Sequence, residues 1–525
     1  MQPIKRPLRL AFAVVERAFD RVFGPAWNPF YNLGALGFFY YWVVAVSGIY
    51  LYFGFDTGVE RVYASIEHLT HVQWYAGGVM RSLHRYASDA LVVMMLAHLL
   101  REFAMDRLRG VRWFSWLTGM PIVWLVYVSG ITGYWLVWDQ LAQYIAIVST
   151  EWLDSLPIFA EPIARNFLAP NSLDDRFFTL LIFLHIAVPL ILLFILWLHL
   201  QRITKPKINP PRGLAIGTMV MLLGLSLAYP AVSQGPADLA KVPSVLHFDW
   251  FYLIGYPLFD LLSYRWVWVL AGALTLMFAA LPWLPPLRRA KAKAAVVNLA
   301  YCNGCGRCAA DCPYAAIAMA PRNDDSPFSH KAVVNPALCV SCGICMAACP
   351  PSMPFRRVAE LATGIDLPDP LLPRLRDDTH RAAAALAEHP RILVYGCDRA
   401  VDLAALAGPG VATVGLPCVG ALPPSFIDYV LSRSLADGVF IAGCPDGACV
   451  NRLGIRWTEA RIAGERDPCL RARVPRERIA RLWTARHKKA ALSGALAAFR
   501  ARIRALPPAA GPPAPRRVGV PETVP

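Results

Sequence analysis

The chain has 525 residues, 56% of them hydrophobic and 17% charged, with a formal net charge of +16. That length exceeds a single core, and that apolar content excludes an ordinary soluble protein. The positive charge does not indicate nucleic-acid binding, because much of it sits in short stretches between apolar runs of membrane-spanning length, where it reports topology.

Residues 1–27 carry Leu10, Val14, Val15, Phe19, Val22 and Phe23 on one helical face. They predict an amphipathic helix on the membrane surface. Arg9, Glu16, Arg17, Asp20 and Arg21 interrupt the same stretch, so no signal peptide is expected. About six transmembrane helices follow, near residues 32–54, 84–104, 113–136, 178–200, 214–231 and 266–285. Stretches 1–27, 101–112, 201–212 and 286–293 hold 17 Lys and Arg, against 6 in 56–83, 136–177 and 231–265. The bias predicts both termini on the cytoplasmic side, and the membrane is expected to be a bacterial or archaeal cytoplasmic one. All 13 cysteines lie at or after Cys302, which points to metal ligands in a reducing compartment and not to disulfides.

Four histidines fall in the second and fourth spans, as His84 with His98 and His185 with His199, each pair 14 residues apart. Fourteen residues are close to four helical turns, so each pair shares a face at a separation of roughly 21 Å. Two parallel helices so equipped can offer two bis-histidine sites stacked across the bilayer. Single membrane histidines also bond neighbouring helices, but two pairs at identical spacing are poorly explained that way. Gly34 with Gly48 in the first span, and Gly119 with Gly133 in the third, repeat the 14-residue period. Glycine permits the close backbone approach that a flat macrocycle in a helix bundle requires.

Arg81-Ser82-Leu83-His84, His98 with Arg101, Gly133-Tyr134 followed by Trp138 and Gln140, Arg176-Phe177-Phe178, and Pro189 after His185 resemble the N-terminal part of cytochrome b of the bc and b6f complexes. The resemblance spans residues 28–290 as a domain. It implies two haems b, held by His84 with His185 on the outer side and by His98 with His199 near the cytoplasm. It also implies Arg81 and Arg101 as partners of haem propionates. Where that family carries Pro-Glu-Trp-Tyr at its outer quinol site, this chain has Phe248-Asp249-Trp250-Phe251. Asp249 is then either a proton acceptor for quinol, and so the catalytic candidate, or a solvated loop charge. His247 reads as a loop histidine in preference to a proton relay, and His68 with His71, an H-x-x-H on an outer loop, as either loop histidines or a weak metal motif. With no cysteine before Cys302, a thioether-linked haem is not expected in the membrane part.

Residues 295–355 repeat one cysteine run. Cys302-x2-Cys305-x2-Cys308-x3-Cys312-Pro313 recurs as Cys339-x2-Cys342-x2-Cys345-x3-Cys349-Pro350, the bacterial two-cluster ferredoxin signature. One [4Fe–4S] cluster is expected on Cys302, Cys305, Cys308 and Cys349, and a second on Cys339, Cys342, Cys345 and Cys312. A linker with a short helix is expected over 356–388, a small α/β domain over 389–480, and a basic helix with a disordered tail over 481–525.

In the last domain the apolar runs Ile392–Tyr395, Val411–Leu416 and Val439–Ala442 precede Cys397, Cys418 and Cys444, and Cys449 follows. On parallel strands these cysteines gather at the carboxyl ends, where four thiolates suit one [2Fe–2S] cluster. Gly443-Cys444-Pro445-Asp446-Gly447-Ala448-Cys449, Cys418-Val419-Gly420 and the Cys397 run resemble the delta subunit of methyl-viologen-reducing hydrogenase. The family has a second cysteine where Ala400 stands here, which leaves Cys469 as an alternative ligand. The arginine-rich stretch after Arg452 is either a dock for an acidic partner or a solvated helix face.

The fold class is thus multi-domain, an α-helical membrane bundle, then an α+β two-cluster ferredoxin, then a small α/β iron–sulfur domain. The resemblances imply a subunit of a quinone-linked oxidoreductase. It would join a cytosolic hydrogenase, formate dehydrogenase or heterodisulfide-reductase-like flavoprotein to the quinone pool, and a homodimer is one assembly that fits. The alternative is a membrane anchor and electron conduit, with quinone chemistry on another subunit.

Overall fold

The computed structural model describes residues 2–158, 168, 173–201, 203–284, 293–358, 360–445, 449–484 and 489–507. Two compact units result, residues 1–202 with 206–288, and residues 289–525 with the segment 203–205.

The first unit is helical. It comprises α1 (Gln2–Trp27), α2 (Leu33–Gly54), α3 (Val62–Glu67), α4 (Val79–Ala104), α5 (Trp113–Trp135), α6 (Gln140–Asp154), α7 (Asp175–Leu200), α8 (Arg212–Ala228), α9 (Pro257–Leu261) and α10 (Tyr264–Ala280). Helix α1 breaks at Gly24, where φ is 73°. It turns its polar side inward: Glu16 is buried against Arg101 at 2.9 Å, while Leu10, Val14, Val22 and Phe23 stay exposed. That is the arrangement of a helix whose apolar face meets lipid.

The six expected spans correspond to α2, α4, α5, α7, α8 and α10 within a few residues at each end. By length and composition, three stretches among the described residues can each cross a membrane: Leu33–Gly54, Gly110–Trp135 and Asp175–Leu200. Helices α8 and α10 have 17 residues each, at the lower limit for spanning. Helix α4 is long enough but carries Arg81, Arg85, Asp89, Arg101 and Glu102. Helix α6, between the third and fourth expected spans, is capped by Asp139, whose carboxylate accepts from Ala142 N at 2.8 Å. Its Leu141, Ile145 and Ala146 join the core of this unit. Helix α2 packs on α4, and α5 on α7.

The second unit opens with the ferredoxin region. Strand β1 (Val296–Val297) pairs antiparallel with β4 (Ile365–Asp366), and β2 (Ile317–Pro321) with β3 (His330–Val334). The sequence duplication becomes two five-residue helices, α11 (Arg307–Asp311) and α12 (Ile344–Ala348). Each starts after a glycine in left-handed conformation, Gly306 at φ 73° and Gly343 at φ 75°. A side chain there would be strained, so the tight turn between the second and third cysteine of each run depends on glycine.

Strands β5 (Ile392–Cys397), β6 (Val411–Leu416), β7 (Gly438–Gly443) and β8 (Ile479–Trp483) form one parallel sheet in the order β6-β5-β7-β8. Every residue of β5 and β7 is buried, as central strands covered on both faces must be. Around them lie α13 (Leu371–Ala384), α14 (Pro424–Ser432), α15 (Gly454–Ala463) and α16 (Lys489–Ala505).

Two expected boundaries need correction. Residues 356–388 are not a linker: Ile365 and Asp366 complete the ferredoxin's small sheet, and Leu371, Leu372 and Leu375 of α13 enter the core of the α/β domain. Nor does that domain end at residue 480. Strand β8 runs to Trp483, and Leu492, Leu496, Phe499 and Ile503 of α16 fill the same core. The basic character of α16 had hidden an apolar stripe at helical spacing. The expected disordered tail falls almost wholly outside the described residues.

Candidate redox centres

In the membrane unit each pocket glycine faces one histidine. A Cβ on Gly48 would lie 3.0 Å from His84 Cε1, and one on Gly133 would lie 2.9 Å from His185 Cε1. The corresponding distances are 3.5 Å for Gly34 to His98 and 3.7 Å for Gly119 to His199. The glycines therefore leave room beside the edges of the imidazole rings.

The hydrogen bonds of three of these rings indicate their tautomer. His84 Nδ1 lies 2.9 Å from the Val44 carbonyl oxygen, which can only accept, so Nδ1 carries the proton. Thr132 Oγ1 already donates to Val128 O at 2.8 Å, which leaves it to accept from His185 Nδ1 at 3.1 Å. Thr118 Oγ1 likewise donates to Phe114 O and accepts from His199 Nδ1 at 3.1 Å. A proton on Nδ1 leaves the lone pair on Nε2, the form in which histidine binds a metal. The His84 and His185 ring centroids are 6.3 Å apart. Two metal–nitrogen bonds of about 2 Å, plus the two ring radii, require roughly that separation. Ser47, Thr118 and Thr132 escaped the sequence reading, although each directly precedes a pocket glycine.

Arg81 and Arg101 both bind carboxylates of the chain itself. Arg81 contacts Glu67 at 3.4 Å, Ser233 at 2.8 Å and Thr70, and Arg101 contacts Glu16 at 2.9 Å. Asp249 is buried, which removes the solvated-charge reading. It pairs with Arg85 at 2.5 Å and accepts a hydrogen bond from Tyr134.

The ferredoxin cysteines gather in two sets. One small cavity is lined by Cys312, Cys339, Cys342 and Cys345, and another by Cys302, Cys305, Cys308 and Cys349. The fourth cysteine of each run thus crosses to the other set. Burial, reinforced by the neighbouring sulfurs, pushes the Cys308 thiol up to about 12. Burial likewise pushes Cys342 up to about 12. Four thiolates packed this way repel one another, and cationic iron would neutralise them.

In the α/β domain Cys397 ends β5, while Cys418 and Cys444 follow β6 and β7. Consecutive strands leave β5 in opposite directions, so β5 and β7 flank the switch point of the sheet, where such folds bind ligands. Cys397 and Cys444 Sγ stand 3.9 Å apart there. A Cβ on Gly454 would touch both Cys418 Sγ and Cys449 Sγ, at 2.3 and 3.7 Å. These four cysteines are buried, and Cys469 is exposed. The structure therefore gathers the four and leaves Cys469 out. Residues 446–448 of the motif lie outside the described residues.

The two iron–sulfur regions also meet. Cys342 and Ile344 pack with Cys418, Leu453 and Trp457, and a Cβ on Gly343 would lie 2.9 Å from Ala421 Cβ. Asp311, on the helix between Cys308 and Cys312, accepts from Arg461 and from Arg466 Nε at 2.7 Å. Trp457 Nε1 donates to Asp311 O at 3.1 Å. Arg471 and Arg473 bind Asp428. The arginines after Arg452 thus answer neither expectation. Arg461, Arg466, Arg471, Arg473 and Arg481 have acidic partners in the same chain.

Comparison with known families agrees with this division. Residues 19–206 match cytochrome b/b6/petB, residues 301–353 the 4Fe-4S dicluster domain, and residues 392–507 the delta subunit of methyl-viologen-reducing hydrogenase. A solved chain titled "Hyperthermophilic respiratory Complex III" is similar at 20% identity and a TM-score of 0.40, over 48% of this chain and 75% of that one.

Proposed function

We propose that this membrane electron-transfer protein, a cytochrome b region followed by a dicluster ferredoxin and a hydrogenase-delta-like domain, links a cytosolic redox partner to membrane quinone. His84 and His185 hold one haem b, and His98 and His199 a second. Cys302, Cys305, Cys308 and Cys349 hold one [4Fe–4S] cluster, and Cys312, Cys339, Cys342 and Cys345 the other. Cys397, Cys418, Cys444 and Cys449 hold a [2Fe–2S] cluster. When bound, these groups carry single electrons. The observation that carries the reading is the pair of facing imidazoles, 6.3 Å apart, with Nδ1 occupied and Nε2 free.

The chain's own residues perform the remaining tasks. Thr132, Thr118 and the Val44 carbonyl fix tautomer and ring orientation. Arg81 and Arg101 already bind carboxylates, so a propionate would share their guanidinium groups with Glu67 and Glu16. Contact between the Cys342–Ile344 and Cys418–Ala421 loops makes the [2Fe–2S] site the neighbour of the Cys312 set. Asp249 is the candidate acceptor of a hydroquinone proton. The cytosolic partner is a hydrogenase, a formate dehydrogenase or a heterodisulfide-reductase-like flavoprotein. The Lys and Arg bias supports a cytoplasmic location for both termini and for the iron–sulfur domains.

The test is an anaerobic redox titration of the purified chain, read optically and by EPR, with and without a quinone analogue. Two low-spin haems b are expected, at least one shifted by the analogue. If both haems are present, neither shifts and no quinol reduces them, the chain is an anchor and conduit, and quinone chemistry belongs to another subunit.

A further inference from the structure

Beside Asp249 stands a second carboxylate that the motif comparison does not assign. Asp89, on α4, is 9% exposed, and its Oδ1 has no hydrogen-bond partner among the described residues. Its other oxygen lies 3.4 Å from Arg85 Nε, and Arg85 Nη2 lies 2.5 Å from Asp249 Oδ2. Arg85 also donates to the Tyr134 hydroxyl, which in turn donates to Asp249. One guanidinium therefore serves two carboxylates. The Tyr134 ring of α5 lies 4.6 Å from the guanidinium, and Tyr252, in the loop before α9, packs against Tyr134 and Tyr127. Tyr252 is tied to Ser88 by a 2.6 Å hydroxyl contact.

We propose that Asp89 and Asp249 are a proton-holding dyad that carries one proton at rest and takes a second from a hydroquinone hydroxyl. The argument is charge balance. Two ionised carboxylates against one guanidinium leave an uncompensated negative charge in a buried site of a membrane domain, which is costly. One shared proton removes it, because like charges this close disfavour joint ionisation. The unpartnered Asp89 Oδ1 is where that proton has room. The next step rests on the reading of Asp249 as facing hydroquinone. The hydroquinone O–H bond breaks, an O–H bond forms on Asp249, and the hydroquinone monoanion remains. With both carboxylates neutral, the Arg85 cation is released from them and pairs with that anion, so the net charge of the site is unchanged. The dyad titrates as a unit, and neither residue owns the proton.

Infrared difference spectroscopy on the intact chain in lipid nanodiscs tests this, with H2O-to-D2O exchange marking protonated carboxyl groups. The resting protein should show such a band. Asp89→Asn should abolish it, and Asp89→Glu should retain it at a shifted position, with unaltered haem spectra certifying both folds. Absence of the band in the parent protein, or its persistence in Asp89→Asn, overturns the dyad. Added hydroquinone should intensify the carboxyl signal. An Asp89-dependent band that hydroquinone leaves unchanged overturns the proton transfer and the quinone reading of Asp249, while the resting dyad stands.

Discussion

Gly133→Ala should remove one haem and Gly119→Ala neither. At Gly133 the new methyl carbon would stand 2.9 Å from His185 Cε1, closer than side-chain carbons approach, so the ring has to move. That ring is anchored by its bond to Thr132, one residue before the substitution, so it cannot rotate away freely. Gly48→Ala presents the same problem at 3.0 Å to His84, which is tied to Val44 and Ser47. At Gly34 and Gly119 the distances are 3.5 and 3.7 Å, ordinary contact. Overpacking of this kind costs about 1–3 kcal/mol. At about 1.4 kcal/mol per tenfold, haem retention at the His84–His185 site should fall roughly 5- to 150-fold. The His98–His199 site should stay loaded in every variant. Haem-to-protein ratios of the four purified variants, with low-temperature optical spectra to separate the two haems, provide the measurement. Equal loss from Gly34→Ala and Gly133→Ala, or full loading of Gly133→Ala, would refute the view that these glycines set ring position.

Cys349→Ser should erase the EPR signal of one [4Fe–4S] cluster and Cys312→Ser that of the other, because each cysteine lines the cavity of the opposite run. Loss of the same signal in both variants would contradict the crossing. Asp311→Ala leaves Arg461, 1% exposed, without its carboxylate, a loss of about 3–5 kcal/mol for a broken buried pair. Faster limited proteolysis of the holoprotein around residues 355–370 should follow, and unchanged digestion would show that the ferredoxin does not lean on Arg461. Burial alone would raise Asp437, but side-chain and backbone bonds from Arg391 and a bond from His389 hold it below the usual carboxylate range. A folded value below the unfolded one stabilises above the unfolded value and is lost as pH falls through the folded one. Asp437→Asn should therefore flatten the acid limb of thermal stability below about pH 4, the ordinary Asp range, and an unchanged limb would exclude that contribution.

What was legible in the chain was whatever chemistry ties to spacing. A 14-residue interval between histidines is meaningful because helical turns are regular, and the doubled cysteine run is meaningful because each cubane needs three thiolates from one loop. The strand-end cysteines were legible because parallel sheets deliver their ligands at one edge. Partnerships across long sequence separations were not legible. Nothing local distinguishes Asp311, whose partners are Arg461 and Arg466, from any other helix aspartate. The same holds for Asp89 and Asp249, which are brought onto one guanidinium only by the packing of α4 against the loop before α9. Helix α13 was misread as part of a linker for a related reason. Its polar residues dominate its composition, and only the three-dimensional core identifies Leu371, Leu372 and Leu375 as one buried stripe.

The hydroxyl residues beside the pocket glycines stand between these cases. Ser47-Gly48, Thr118-Gly119 and Thr132-Gly133 are readable as dipeptides, yet their purpose emerges only when each hydroxyl is found on the imidazole of a different helix. The small residue admits the ring, and the residue before it sets a hydroxyl on the ring's Nδ1, so two adjacent positions supply clearance and orientation together. The fourth position breaks the pattern, since Leu33 precedes Gly34 and offers His98 no hydroxyl. The two histidine pairs are therefore not equivalent in their outer contacts. Hydrogen bonds to the far ring nitrogen raise a ligand's basicity, so under the proposed haem ligation this difference would separate the potentials of the two haems.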